Sequence, residues 1–403
     1  MTATLFAAQA AFSAAGIASF SVLSISAAIL AGDPAYAGIP GAAMLFGRAL
    51  AAYPIGWLMD AAGRRPALAL GYFTGVAGAV VGALSIMGES YPGLVAGAAI
   101  FGMSRTASDQ SRYVAAEVHS PQRRGRIIGR IVFAGTVGSI TGPLIVKAST
   151  SLAEGAGINE FAGPWLAAAV LVGAAVALVL TFVRPDPRDM TIASPLASVT
   201  AGGGLDPDAR PLREIFRAVN VRVAVLAMLV GQLVMVMVMT IAPVHLHDHG
   251  HVPTTISIAI AVHTVGMFGL AALTGRLVDR YGQLPVIALG AAQLIAASVL
   301  TPFSADLGVM LLAMFLVGYG WNMCFVAGSA LLIVGLSPRE RGRTQGAGDA
   351  LAAVAAATGS LATGPVFSAG GMNWVGVAAL AGSLVLVTVL ARRGLTRQRA
   401  VGA

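Results

Sequence analysis

One cysteine and one lysine occur in 403 residues, and charged residues make up 10% and aromatic residues 6% of the chain. The single Cys324 lies inside an apolar run, which excludes disulfides and thiolate metal clusters within one chain. With 57% hydrophobic residues and a mean hydropathy of +0.82, too little polar surface remains to face water. Soluble domains are thereby excluded and an all-α membrane protein is expected. Basic residues other than Lys147 are arginine, and they carry the net charge of +8. They stand in short turns between apolar runs, without the interleaved aromatics of a nucleic-acid surface, so no nucleic-acid partner is expected. Also missing are a phosphate-cradling glycine loop with lysine, a His-Glu-x-x-His pair, a nucleophile with its base and an extramembrane domain large enough for ATP. No enzyme activity and no cofactor are expected. No basic segment precedes the first apolar stretch, which is longer than a signal-peptide core and is read as a retained helix.

What is present is apolar sequence in long runs. A hydrocarbon core about 30 Å thick needs about 20 residues of helix. That length predicts twelve spans, at 5–31, 39–61, 66–86, 91–117, 125–147, 161–183, 222–245, 254–278, 284–302, 307–336, 343–367 and 373–390. Connections after even spans hold Arg64 and Arg65, Arg123 to Arg126, Arg184, Arg188, Arg210, Arg213, Arg280, Arg339, Arg341 and Arg343, and the tail holds Arg392, Arg393, Arg397 and Arg399. Connections after odd spans carry mainly Asp33, Glu89, Glu154, Glu160, Asp248 and Asp306. Positive loops stay inside, which predicts a multi-pass protein of the cell inner membrane with both termini cytoplasmic. The expected division is an N-terminal six-helix half at 1–183, a linker at 184–212 rich in proline and glycine, a C-terminal six-helix half at 213–392 and a basic tail at 393–403.

The halves are copies. Gly56, Asp60, Gly63 and Pro66 recur 219 positions later as Gly275, Asp279, Gly282 and Pro285. Ser120-Pro121-x-x-Arg124-Gly125-Arg126-x-x-Gly129 recurs 217 positions later as Ser337-Pro338-x-x-Arg341-Gly342-Arg343-x-x-Gly346. Fifty glycines suit close helix approach in lipid, and Gly138-x-x-x-Gly142-Pro143 combines such a surface with a kink. Ser360-x-x-x-Gly364-Pro365 is its partial echo.

These residues resemble the major facilitator superfamily over essentially the whole chain. Twelve spans form two pseudo-symmetric six-helix halves, and Gly56, Asp60, Gly63, Arg64 and Arg65 match the family's signature between spans two and three. Ala61 departs from the usual basic residue; Arg280 keeps it, while Gln283 and Leu284 replace the double arginine in the second copy. The arginine usual near the outer half of span four would fall at about Gly97. The resemblance implies an alternating-access secondary transporter with a midplane site for a small-molecule substrate. It also implies that Asp60 caps the start of span eleven, Arg64 pairs with Glu117, and Asp279 faces the start of span five. Such contacts form a latch that favours the outward-open state. Gly138, Gly142 and Pro143 look like the element of the family's antiporters, which tilts the expectation to proton-coupled export. Uptake of an anionic metabolite or vitamin is the alternative, suggested by buried arginines.

Arg105, Asp109 and Arg112 lie at i, i+4 and i+7 on one face of span four, deep enough that each charge costs about 2.5–3.5 kcal/mol. Asp109 is expected to take a proton or cation, with Arg105 and Arg112 as counter-charges or substrate anchors. His263, near the middle of span eight, is a candidate proton relay. Gln232, Asn322, Gln345 and Asp349 are further polar candidates. Trp321 and Met228, Met235, Met237 and Met239 are read mainly as packing. His245, His247, His249 and His251 would share one side if extended, but match no closed zinc site, and no metal is expected. Protons, the bilayer and a small molecule are the expected partners, and a monomer the expected state.

Overall fold

A peptide group in hydrocarbon must find its hydrogen bond within its own segment, so long apolar runs form helices. The computed structural model describes residues 1–403 except 34, 35, 37, 193–209, 251, 252, 402 and 403. It also describes no side chains at 139, 191, 192, 243, 244, 247, 248, 253–257 and 393–401. Most of the expected linker, His251 and the side chains of His247, Arg393, Arg397 and Arg399 therefore lie outside the described residues.

Every regular element among the described residues is helical. The first six membrane-length helices are α1 (Thr2–Ala31), α2 (Ile39–Ala62), α3 (Arg64–Met87), α4 (Tyr91–Glu117), α5 (Arg124–Gly155) and α6 (Ala162–Phe182). Of two short helices, α7 (Pro187–Ile192) lies within the expected linker and α8 (Leu212–Ile215) starts at its last residue. Then come α9 (Val219–Asp248), α10 (Pro253–Thr264), α11 (Ala271–Tyr281), α12 (Gln283–Leu300), α13 (Leu307–Leu332) and α14 (Pro338–Val401). A π-helical turn, Val265–Gly269, joins α10 to α11 as one span. Gly370 and Gly371 interrupt α14, which thus supplies two spans, and the expected twelve segments are all present. Ten helices among the described residues are long and apolar enough to cross a membrane; α4, polar and charged in its second half, is not among them.

The described chain forms two compact units. The first comprises Met1–Ser120, Ala134–Leu212 and Gly335–Ala353; the second comprises Pro121–Phe133, Arg213–Val334 and Val354–Ala403. Each unit therefore includes opening turns of a helix from the other half of the sequence. In the first, Gly71, Gly75 and Gly78 of α3 lie against Ala107, Ser104 and Phe101 of α4, where a larger side chain would collide. Phe12, Tyr72, Phe101 and Trp165 fill its aromatic core. In the second, Gly290 of α12 meets Gly320, Met323 and Cys324 of α13. Phe46, Val170 and Leu361 are 68%, 73% and 79% exposed, the outward-facing apolar surface that lipid, not water, accommodates.

Candidate functional site

Asp60 ends α2 against the start of α14, where the first backbone N–H groups of a helix have no partner in their own helix. Its Oδ1 accepts from Gly342 N at 2.9 Å and its Oδ2 from Arg343 N at 2.8 Å. Glycines allow the approach: a Cβ on Gly56 would strike the Gly342 carbonyl, and one on Gly346 the Ala52 carbonyl. Arg64, fully buried, donates from Nε and Nη2 to the Glu117 carboxylate at 2.9 and 3.0 Å. It also reaches the Met59 carbonyl at 2.9 Å, Asp60 at 3.3 Å and the Pro338 carbonyl at 2.7 Å. One guanidinium thus ties together α2, α4 and the first residue of α14.

The second unit repeats half of this arrangement. Asp279 Oδ2 accepts from Arg126 N at 3.0 Å, with the Arg126 Nε 3.7 Å away. Here Gly275 lies against the Gly125 carbonyl and Gly129 against the Ala271 carbonyl. No guanidinium clamp accompanies it, because Gln283 stands 219 positions after Arg64. Gly63 and Gly282, both at positive φ (103° and 87°), make the tight turns that follow the two acids.

Both described ends of the linker fasten onto the first latch. Asp186 accepts from Arg64 N and Arg65 N at 3.1 and 2.8 Å, capping α3, and Arg188 donates to the Ala61 carbonyl at 2.9 Å. At the other end, Arg210 donates from Nε and Nη2 to Glu340, both at 2.8 Å, and its carbonyl accepts from Arg343 at 2.9 Å. Proline-rich composition gave no sign of this docking.

Within the membrane-spanning part of the first unit, five charged side chains converge. Asp109 is 2.9 Å from Arg48 Nη2, 3.4 Å from Arg105 Nε and 4.0 Å from Arg112 Nη1. Arg112 donates from Nη2 to Asp349 Oδ1 at 2.5 Å and to the Tyr113 hydroxyl at 3.0 Å. Arg112 and Asp349 are each 2% exposed, whereas the Arg105 side chain is 41% exposed, with its guanidinium 6.0 Å from the Phe12 ring centre. Three arginines face two aspartates, a surplus of one positive charge. Arg112 has a second partner beyond the expected Asp109, and Arg48 was missed although a charge inside an otherwise apolar span was its signal. Beside the cluster, Gln9 Oε1 accepts from Ser108 and Ser111 at 2.7 and 3.3 Å.

The polar candidates of the second unit are uncharged or histidine. His263 is buried with Nδ1 2.9 Å from the Met314 carbonyl. Asn322 donates to the Met267 carbonyl in the π-helical turn at 2.6 Å and accepts from Thr274 at 2.6 Å. Trp321 donates to Gln232 at 3.0 Å and stacks on Phe325 at 4.7 Å. Gln345, in the first unit, is buried. From His245 to His249 the histidine run is not extended: α9 continues to Asp248, and His249 sits one turn from His245 with Nδ1 2.8 Å from its carbonyl. In the first unit, Gly138 and Gly142 of α5 abut Ser13 and Ile17 of α1, so this face is a close-packed helix contact; Gly364, in the echo, has nothing within 4 Å.

Comparisons with known proteins agree with this architecture. An uncharacterised MFS-type transporter of Bacillus subtilis, YddS, is 30% identical over 94% of this chain and 87% of its own length. The riboflavin transporter RfnT of Brucella anthropi is 28% identical over 90% of this chain and 88% of its own. Among solved structures, the human organic anion transporter MFSD10 superposes with a TM-score of 0.75 at 19% identity, over 96% of this chain and 98% of that one. A bacterial homologue of the iron transporter ferroportin in its outward-facing state gives 0.77 at 13% identity, over 97% and 98%. The family profile described as Major Facilitator Superfamily matches residues 4–252 and 224–401, and the chain belongs to that superfamily of membrane transporters.

Proposed function

We propose that the protein is a proton-coupled secondary transporter that moves a small organic solute by alternating access. The observation that carries this reading is the charged group of Arg48, Arg105, Asp109, Arg112 and Asp349, largely buried except at Arg105. Intramembrane charges are costly and persist where they serve a solute or ion path. The proposed proton and solute residues are Arg105, Asp109, Arg112, His263, Asn322, Asp349 and Gln232. Asp60, Arg64, Glu117 and Asp279, with Gly138, Gly142 and Pro143, are the gating set. The two six-helix halves are the proposed moving bodies, in a monomer of the inner membrane with cytoplasmic termini. With the latch engaged, the outward-open state is favoured.

Two directions have support. The packing of Gly138 and Gly142 on α1, in an antiporter-like element, favours export by drug or metabolite:proton antiport. The arginine surplus favours uptake of an anionic metabolite or vitamin, and a relative named as a riboflavin transporter is consistent with a vitamin-sized solute. Thermal-shift screening of the purified protein with riboflavin, benzoate and tetraphenylphosphonium distinguishes them: a shift with benzoate or riboflavin supports uptake, and one with only the cation supports export. Solute flux in proteoliposomes that ignores a pH gradient and requires ATP would overturn proton coupling.

A further inference from the structure

We infer that Asp349 takes the proton and, by releasing Arg112 to Asp109, leaves Arg105 and Arg48 to an organic anion, so that proton and anion bind cooperatively and move as symport. The inference rests on the proton-coupled reading above for its use in transport, and it supplies the coupling sign that reading leaves open.

The two carboxylates of the cluster are not equivalent. Asp109 faces three guanidinium groups, Arg48, Arg105 and Arg112, within 4.0 Å. Asp349, 2% exposed, has one, on Oδ1; its Oδ2 is buried with no hydrogen-bond partner among the described residues. A buried carboxylate oxygen without a donor is an unfavourable state that a proton relieves. Among the described residues, the charged groups that act on Asp349 are Arg112 and Asp109 on α4 and Arg48 on α2, with the polar Gln345 one turn away on its own helix. Among the described residues the other buried carboxylate oxygen without a hydrogen-bond partner, Asp109 Oδ2, has the Arg48 guanidinium 2.9 Å away.

Protonation adds one hydrogen to Oδ2 and removes the charge that holds Arg112. The Arg112 Nη1 already lies 4.0 Å from Asp109 Oδ1, so a small side-chain movement gives it a new carboxylate partner. Asp109 then divides its charge among three arginines with Asp349 neutral, and the surplus on the cluster rises from one positive charge to two. Arg105 is the exposed member, and the ring of Phe12, itself stacked on Phe101 at 5.9 Å, lies beneath it. Phe12 itself is buried, so the feature open to a solute is the guanidinium, and an organic carboxylate matches it. Because the surplus grows on protonation, the proton strengthens anion binding, and by reciprocity the anion strengthens proton binding. Antiport needs the opposite sign.

Two measurements on the full-length purified protein test this. Infrared difference spectra on acidification are expected to show the carbonyl band of a buried carboxylic acid that is lost in Asp349→Asn and kept in Asp109→Asn. Benzoate affinity, followed by calorimetry over a pH range where benzoate stays ionised, is expected to rise by up to about tenfold per unit fall in pH, the limit for one linked proton. It should be independent of pH in Asp349→Asn, and Asp349→Glu should restore the dependence if the asparagine variant folds poorly. No benzoate binding, affinity that falls on acidification, or an unchanged pH dependence in Asp349→Asn each overturns the inference. If affinity follows Asp349 but wild-type proteoliposomes move no protons, the linked site stands and the proton-coupled reading falls. If protons move and benzoate affinity is flat with pH, the reverse holds.

Discussion

Asp60 and Asp279, 219 positions apart, each accept backbone hydrogen bonds from the opening residues of a helix that starts in the opposite half of the sequence: Gly342 and Arg343 for Asp60, Arg126 for Asp279. A contact duplicated with its partner exchanged is hard to attribute to loop topology alone. The two copies differ in strength, since Arg64, Glu117 and the linker ends support only the first.

Asp60→Asn removes the anionic acceptor from two amides and leaves Arg64 one carboxylate fewer. A loss of about 1–3 kcal/mol from the latched state is expected. In a Cys324→Ser background, alkylation of Gln345→Cys should accelerate roughly five- to 150-fold. Unchanged alkylation with intact transport and normal expression would remove the latch from the account. Asp279→Asn, lacking a guanidinium clamp, should produce a smaller change in the same assay with a reporter at the buried Ile128, as Ile128→Cys.

Gly56→Ala places a methyl group against the Gly342 carbonyl, whereas Gly364→Ala meets open space. The first should cost about 1–3 kcal/mol by overpacking. The second should stabilise by up to about 1 kcal/mol, since alanine is the better helix former and meets no neighbour. Thermal unfolding in one detergent compares the pair.

Arg210→Ala loosens the linker from Glu340. The arginine is 39% exposed, so the pair itself contributes less than about 1 kcal/mol. Alkylation of Gln345→Cys should rise, but by less than with Asp60→Asn; a larger rise would mean that the linker, not Asp60, dominates the latch.

Asn322→Ala strands the Met267 carbonyl of the π-helical turn and the Thr274 hydroxyl. Destabilisation of about 1–3 kcal/mol is expected. A stability equal to wild type in thermal unfolding would show that the turn does not depend on this side chain.

Much of the architecture was legible because apolar run length and charge alternation are properties of single segments. The tandem repeat also exposed the latch acids, since Asp60 and Asp279 occupy matched positions. Pairings between distant helices were not legible: nothing local marks Asp349 as the partner of Arg112, 237 positions away. Arg48 was detectable as the single basic residue of α2, set in the middle of an apolar run. The π-helical turn at Val265–Gly269 depends on Asn322 from α13, a tertiary contact with no local sequence signal. Docking of Asp186 and Arg210 was hidden because a charged, proline-rich connection reads as solvated.

The central claim, that the Arg48–Arg105–Asp109–Arg112–Asp349 group couples a proton to a solute, is tested most directly in proteoliposomes carrying a pH-sensitive dye. Addition of benzoate to the wild type is predicted to drive proton movement with the solute, and Asp349→Asn to abolish that movement while solute binding persists. Solute flux without proton movement in the wild type, or undiminished proton movement in Asp349→Asn, would contradict the account.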